Sequence, residues 1–157
     1  MITLYTASTI YHASKEPRLR SKLRIADHAA IYILIAGTYT PVCILTLPDQ
    51  IGKTLLIVIW SVGIAGVILK LFFTGKYDKL STVMYVLMGW IAVFAIKPLM
   101  DNMSNEGLLW LLSGGIFYTI GAVLYSIKKL PMNHAIFHIF VLGGSASHFA
   151  MIYSHVI

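Results

Sequence analysis

The chain has 157 residues, of which 58% are hydrophobic and only 11% are charged. A soluble domain carries about 25% charged residues, so this composition excludes an ordinary water-facing surface and indicates an integral membrane protein. The net charge of +6 would suggest nucleic-acid binding in a soluble protein. In a membrane protein the positions of the charges matter more than their sum, so we expect no nucleic-acid partner. The single cysteine, Cys43, excludes an intramolecular disulfide framework.

Six hydrophobic segments follow one another along the chain, separated by charged or Pro- and Gly-containing breaks. They cover residues 1–14, 26–47, 51–73, 80–100, 107–127 and 131–157. The last five run about 20 residues or more, which is enough to cross a hydrocarbon core as helices. The first would reach only about 21 Å of the roughly 30 Å needed, so we expect the C-terminal part of a spanning helix. The sequence predicts a single all-α domain, a polytopic transmembrane helix bundle.

The basic residues concentrate in alternate breaks between these segments. Ten of the 12 lie in the first, third and fifth breaks, whereas the second and fourth hold only Lys53 and Lys97. By the positive-inside rule, the odd-numbered breaks are cytoplasmic and the C-terminus is outside. The basic loops could also bind anionic lipid headgroups, although topology alone explains them. We expect a multi-pass protein of the plasma (inner) membrane with membrane lipids as partners, and a homo-oligomer is left open.

Three of the predicted helices carry metal-competent side chains at the same membrane depth, near the cytoplasmic face. Ser8 and His12 lie four residues apart on one face of the first helix, and Asp27 opens the second. His134 and His138 share a face in the first turns of the last helix. Chance would scatter such groups over both leaflets, and ionisable groups that converge in a membrane usually mark function. The simpler interpretation of the two histidines alone is hydrogen bonding to neighbouring hydroxyls or carbonyls.

The residue types predict the chemistry of this site. Three neutral histidines, His12, His134 and His138, are the usual protein ligands of a catalytic zinc. Such a zinc keeps a water in its fourth position and lowers the pKa of that water to about 7. Asp27 is placed to accept the proton of the water, and Ser8 to hydrogen-bond the water or a developing oxyanion. Taken singly, Asp27 could instead interact with a helix dipole, and Ser8 could bond back to its own helix.

Four motifs resemble the haemolysin III family: S-x-x-x-H at 8–12, DHAAIYILIAGTYTP at 27–41, GGIFYTIGAVLY at 114–125 and HAIFH at 134–138. That family belongs with the adiponectin and progestin receptors and, more distantly, with the alkaline ceramidases. The resemblance implies seven transmembrane helices with a cytoplasmic N-terminus, of which the first helix and part of the second would be absent here. It also implies that the three histidines bind zinc and that Ser8 and Asp27 hold its water.

Three functions from different classes stay open. The first is a zinc-dependent intramembrane hydrolase of a lipid amide or ester, a ceramidase-like amidase with a role in membrane lipid homeostasis. The second is a receptor or sensor in which the zinc is structural. The third is the membrane-lytic or pore-forming activity, a cytolysis, that the family name implies. Against a dedicated pore, no helix of the sequence carries a repeated ring of charged residues.

The remaining histidines and the glycines predict packing rather than chemistry. His28 is about 100° from Asp27 around the helix and should face a different neighbour. His148 is about 15 Å along the helix from His138, too far to share a metal, and should make interhelical hydrogen bonds. His155 should be interfacial. Close helix packing is predicted at Gly114, Gly115, Gly121, Gly143 and Gly144.

Overall fold

The computed structural model of the protein describes residues 2–74, 78–127 and 129–157, without the side chains of residues 78, 79 and 134. Every regular element in these ranges is helical, which confirms the predicted all-α fold. The helices are α1 (Ile2–Ala13), α2 (Pro17–Pro41), α3 (Asp49–Phe73), α4 (Asp78–Gly89), α5 (Ile96–Asn102), α6 (Asn105–Ser126) and α7 (Asn133–His155). A π-helical turn, Val42–Thr46, extends α2, and a 3-10 turn, Ile91–Ala95, joins α4 to α5.

Five helical segments of the described chain are long and apolar enough to cross a membrane. They are Pro17–Thr46, Asp49–Phe73, Leu80–Asn102, Asn105–Ser126 and Ala135–His155. Large apolar side chains on these segments are exposed, including Ile57, Phe72 and Phe94. Exposed apolar surface on this scale marks contact with lipid or with another protein rather than with water. The chain is therefore a multi-pass membrane protein.

Helix α2 begins at Pro17 and not at residue 26, so the basic stretch before the second hydrophobic segment is helical. Pro17 stands in the first turn, where the missing N–H of proline leaves no helical hydrogen bond unmade. Hydropathy marks residue 26, where the chain becomes apolar, whereas the helix already begins at Pro17. Asp27 is ten residues past Pro17, so the expectation that it opens the helix is wrong. The helix-dipole interpretation of Asp27 is excluded as well, because that interaction falls off within the first turn.

The third of these spans, Leu80–Asn102, is interrupted between α4 and α5, where the backbone passes through the 3-10 turn. Tyr39 of α2 compensates for this interruption. Its hydroxyl donates a hydrogen bond to the Gly89 carbonyl at 2.7 Å and accepts one from the Ala92 N–H at 2.9 Å. Irregular backbone at membrane depth is tolerated only where it is buried in protein or lines a cavity. The interruption is therefore held by a side chain from a neighbouring span.

Helices α6 and α7 pack closely because glycines of each helix receive side chains of the other. Three pairs show this contact: Gly114 against His148, Gly121 against Phe140, and Gly144 against Tyr118. A β-carbon on Gly143 would also lie only 3.1 Å from the ring of Phe117. These contacts confirm the close packing predicted for the four glycines. Gly115 differs, since a β-carbon there would lie 3.8 Å from Trp90, an ordinary van der Waals distance, so the prediction was wrong at this position.

Candidate metal centre

Three helices bring the predicted site residues together at one end of the bundle, where α1 ends and α2 and α7 begin. We call it the basic end, because the basic residues at positions 15–24 lie there. Ser8 and His12 come from the second half of α1, Asp27 from α2, and His138 from the second turn of α7. One apolar cluster holds these three helices against each other: Leu4, Ala30, Leu34 and Val141. Packing of α1 between α2 and α7 therefore fixes the positions of the polar side chains.

The imidazoles of His12 and His138 meet edge to face. Their ring centroids lie 5.8 Å apart and their planes are inclined at 88°. Two imidazoles that share a zinc ion at N–Zn distances of about 2.0–2.1 Å have ring centroids roughly 5–6 Å apart. The observed separation of the two rings therefore fits a pair of ligands to one zinc ion.

Ser8 contacts one of these two histidines, His138. It is buried in α1, and its hydroxyl oxygen lies 3.4 Å from Nε2 of His138. The imidazole tautomer decides which of the two atoms donates the hydrogen bond. The Ser8 hydroxyl thus points from α1 toward α7 rather than back to a carbonyl of its own helix.

Asp27 supplies a buried carboxylate beside the histidines. It is 5% exposed and lines the same cavity as His138 and His28. Its Oδ2 lies 3.9 Å from Nδ1 of His28. Burying a carboxylate costs free energy unless it is paired with a cation, a proton donor or a metal. Asp27 therefore places a proton-accepting group next to the histidine pair.

His28 has a hydrogen bond of its own within α2. Its Nδ1–H donates to the backbone carbonyl of Arg24, one turn earlier, at 2.8 Å. The same nitrogen lies 3.9 Å from Oδ2 of Asp27 and both residues line one cavity, so the expectation that His28 faces a different neighbour is wrong. The backbone carbonyl of His28 also accepts a hydrogen bond from the hydroxyl of Tyr85 at 3.0 Å. The bond from Tyr85 ties the first half of α2 to α4 beside the site.

The third predicted ligand, His134, lies in the first turn of α7, and its side chain is outside the described part of the structure. Among the side chains that are described, no three His, Cys, Asp or Glu residues converge as a metal site. The described donors are two imidazoles, a carboxylate and a hydroxyl. Imidazole nitrogen and carboxylate oxygen are both common zinc ligands, so the types of donor fit this metal. His134 precedes His138 by four residues and thus lies on the same face of α7.

A second polar cluster, deeper in the bundle, was not predicted from the sequence. The hydroxyl of Ser145 lies 3.0 Å from that of Tyr118 and 3.3 Å from that of Tyr5. Next to it, the Nε2–H of His148 donates to the Leu111 carbonyl on α6 at 3.2 Å, which confirms the interhelical hydrogen bond predicted for this histidine. The two tyrosines are far from Ser145 in sequence, so no local pattern signalled their pairing with it.

Two cavities adjoin in the middle of the bundle. The first, which we call the site cavity, has a volume of about 110 Å³ and is lined by Asp27 and His138. The second, the distal cavity, has a volume of about 450 Å³ and extends away from the basic end. Apolar side chains make up most of the distal cavity wall, among them Leu47, Leu55, Leu99 and Met151. The polar site thus adjoins a larger apolar space.

A multi-pass helical bundle with a histidine pair, a serine and a buried aspartate at one end defines a membrane protein with a candidate metal centre. The chain belongs to the haemolysin III family, since the profile of haemolysin-III related proteins matches residues 1–149. This confirms the resemblance that the four motifs indicated.

Individual relatives cover nearly all of this chain. It is 47% identical to Hemolysin-3 of Bacillus cereus over 157 residues, which is 100% of this chain and 72% of that protein. It is 45% identical to the Hemolysin-3 homolog of Bacillus subtilis (strain 168) over 149 residues, 95% of this chain and 70% of the relative. The human Monocyte to macrophage differentiation factor is 28% identical over 162 residues, covering 99% and 67% of the two chains. No solved structure matches the chain.

Proposed function

We propose that the chain is a zinc-dependent intramembrane hydrolase that acts on a lipid amide or ester. The observation that carries this proposal is the histidine pair, His12 and His138, at 5.8 Å, with the buried Asp27 carboxylate on the same cavity as His138. The zinc ligands would be His12, His134 and His138. A zinc ion there would supply Lewis acidity toward a carbonyl and would acidify a water. Membrane lipids are the natural substrates of a site that adjoins an apolar cavity within the spans.

Asp27 moves the proton in this proposal. Hydrolysis joins the oxygen of water to the carbonyl carbon and breaks the bond from that carbon to the leaving nitrogen or oxygen. Asp27 accepts the proton that the attacking water loses and returns it to the leaving atom, so the products are a carboxylic acid and an amine or alcohol. Its burial excludes bulk water that would compete for the proton.

Ser8 orients the site. Its contact with Nε2 of His138 holds the imidazole of that residue in one direction. The same hydroxyl can donate a hydrogen bond to the negative charge that develops on the carbonyl oxygen during attack. Ser8 thus supports the reaction without exchanging a proton with the leaving group.

Membrane lysis is the second candidate function, and the names of the two Bacillus relatives favour it. A conducting pore needs a path that water and ions can line. The distal cavity is instead walled mostly by side chains such as Leu47, Leu99 and Met151. Such walls suit a hydrocarbon chain, so we favour lipid hydrolysis.

Liposomes that contain ceramide, phospholipid and an entrapped dye distinguish these functions in one experiment with the reconstituted full chain. We expect free fatty acid to be released while the dye is retained. A zinc chelator should stop the release, and added zinc should restore it, because the ion supplies the Lewis acid. Dye release without fatty acid would support lysis instead. If neither is released, the structural role of zinc in a receptor or sensor becomes the better interpretation.

We further propose that the basic end of the bundle faces the cytoplasm and that the C-terminus is outside. The support is the concentration of basic residues at positions 15–24, next to the start of the first full span. A reporter fused after Ile157 should be active only outside the cytoplasm. The matched control is a fusion after Ile127, at the opposite end of the preceding span, which should be active only in the cytoplasm. The reverse pattern would move the candidate metal centre to the outer leaflet.

A further inference from the structure

The site cavity is too small to hold a lipid tail by itself. Its volume of about 110 Å³ leaves room for a short hydrocarbon chain only. The distal cavity, at about 450 Å³, lies within the range of roughly 300–1,000 Å³ that ligand pockets occupy. A lipid whose carbonyl lies at the site can therefore bury a long hydrocarbon chain by extending into the distal cavity.

One set of residues forms the boundary between the two cavities. Six residues line both of them, and we call these six the collar: Thr38, Tyr39, Gly89, Trp90, Gly115 and His148. His148 is ten residues beyond His138 on α7, so the collar lies about 15 Å along the helix from the site. That distance is about half of a hydrocarbon core of roughly 30 Å. A chain that begins at the site therefore reaches the collar near the middle of the membrane.

Nδ1 of His148 is buried without a hydrogen-bond partner in the described structure, whereas the donors of the collar are bonded to the protein itself. Each donates to a neighbouring group: the Tyr39 hydroxyl to the Gly89 carbonyl, the Trp90 indole N–H to the Thr119 hydroxyl, and the His148 Nε2–H to the Leu111 carbonyl. Thr38 donates to the Leu34 carbonyl of its own helix at 2.8 Å. These bonds hold the side chains in place and use their donors.

Gly115 marks the open side of the collar. A β-carbon at this position would lie 3.8 Å from Cζ2 of Trp90 and 3.9 Å from Cη2, which are ordinary contact distances. A larger side chain can therefore grow into the passage beside Trp90 without forcing α6 to move. The neighbouring Gly114 is different, because it packs directly on the ring of His148.

We propose that the collar selects lipids by the length of the hydrocarbon chain. A chain that is long enough to pass between Gly115 and Trp90 gains burial in the distal cavity, and a shorter chain does not. Selection by chain length deepens the proposed function and rests on it, since the lipid carbonyl is taken to lie beside His138 and Asp27.

Binding of octanoate and palmitate to the purified full chain in detergent tests the collar without requiring turnover. Gly115→Leu should weaken palmitate binding about tenfold or more, because every methylene kept out of the distal cavity loses burial. Octanoate is too short to pass the collar, so its affinity should change less than about twofold. Gly115→Ala should shift palmitate binding in the same direction by less, and it serves as the variant that preserves the fold.

The matched control is Gly37→Leu on α2, outside the collar, where no atom lies within 4 Å of an added β-carbon. It should leave the binding of both fatty acids unchanged.

The outcomes separate the collar from the proposed hydrolase. Equal weakening of octanoate and palmitate, or unchanged palmitate binding in Gly115→Leu, would overturn selection by the collar and leave the hydrolase standing. A chain that leaves sideways into the bilayer would give this second result. If the unmodified protein binds neither fatty acid, both the path through the collar and the lipid substrate of the proposed function are wrong.

Discussion

Asp27→Asn is expected to keep zinc bound and to reduce lipid hydrolysis about 100- to 10,000-fold, the range that general bases contribute. Asparagine retains the shape and hydrogen-bonding reach of the aspartate but cannot accept the proton of the attacking water. Bulk water should not replace the lost base, because Asp27 is buried on the cavity that His138 also lines. Ceramide turnover by the reconstituted protein, measured together with its zinc content, checks this expectation.

The same variant separates a catalytic zinc from a structural one. A zinc that only joins helices needs no base, and a nearby carboxylate then acts only by orienting ligands. The matched control is Asp49→Asn, the same change at a carboxylate that is 90% exposed and pairs with Lys53 at 3.1 Å. It should leave turnover unchanged. Full turnover by a zinc-replete Asp27→Asn protein would rule out the general-base role of Asp27.

The second large effect is expected on metal binding. Replacing His12, His134 or His138 by alanine should each lower the bound zinc to well below one ion per chain. A site with three protein ligands loses much of its affinity when one donor is removed. Elemental analysis of the purified variants measures this directly, and it needs no substrate.

His148→Ala is the matched control for the metal, since it makes the same substitution further along α7. His148 donates to the Leu111 carbonyl and lies about 15 Å along the helix from His138, so its loss should leave bound zinc near the unmodified level. If His148→Ala removes zinc as completely as His138→Ala does, the ligand set is wrong.

The sequence predicted the parts of the fold that membrane physics dictates. An apolar run of about 20 residues in hydrocarbon must satisfy its backbone internally, so it forms a helix whatever its neighbours are. Alternation of the spans then put the end of α1 and the start of α7 at the same depth. The contact between His12 and His138 follows from that placement. Hydropathy and alternation were therefore enough to find this pair.

The features that escaped prediction depend on partners distant in the sequence. Hydropathy stays high through the third span, Leu80–Asn102, although its helix is interrupted at Ile91–Ala95, where Tyr39 of another helix satisfies the backbone. Gly115 looked the same as Gly114 in the sequence, yet one borders a cavity and the other receives the ring of His148. A cavity is the space that several packed helices leave unfilled between them, so no single segment of the sequence predicts it.

Because α2 begins at Pro17, one continuous helix connects the basic end of the bundle to Asp27. It runs unbroken from Pro17 past Asp27, which places the carboxylate about 15 Å along the helix from its first residue. The Arg20 guanidinium lies over the Tyr11 ring at 5.5 Å, and this contact joins the start of α2 to α1. The charged turns at the start of α2 therefore stand at a fixed distance from Asp27 along the helix axis.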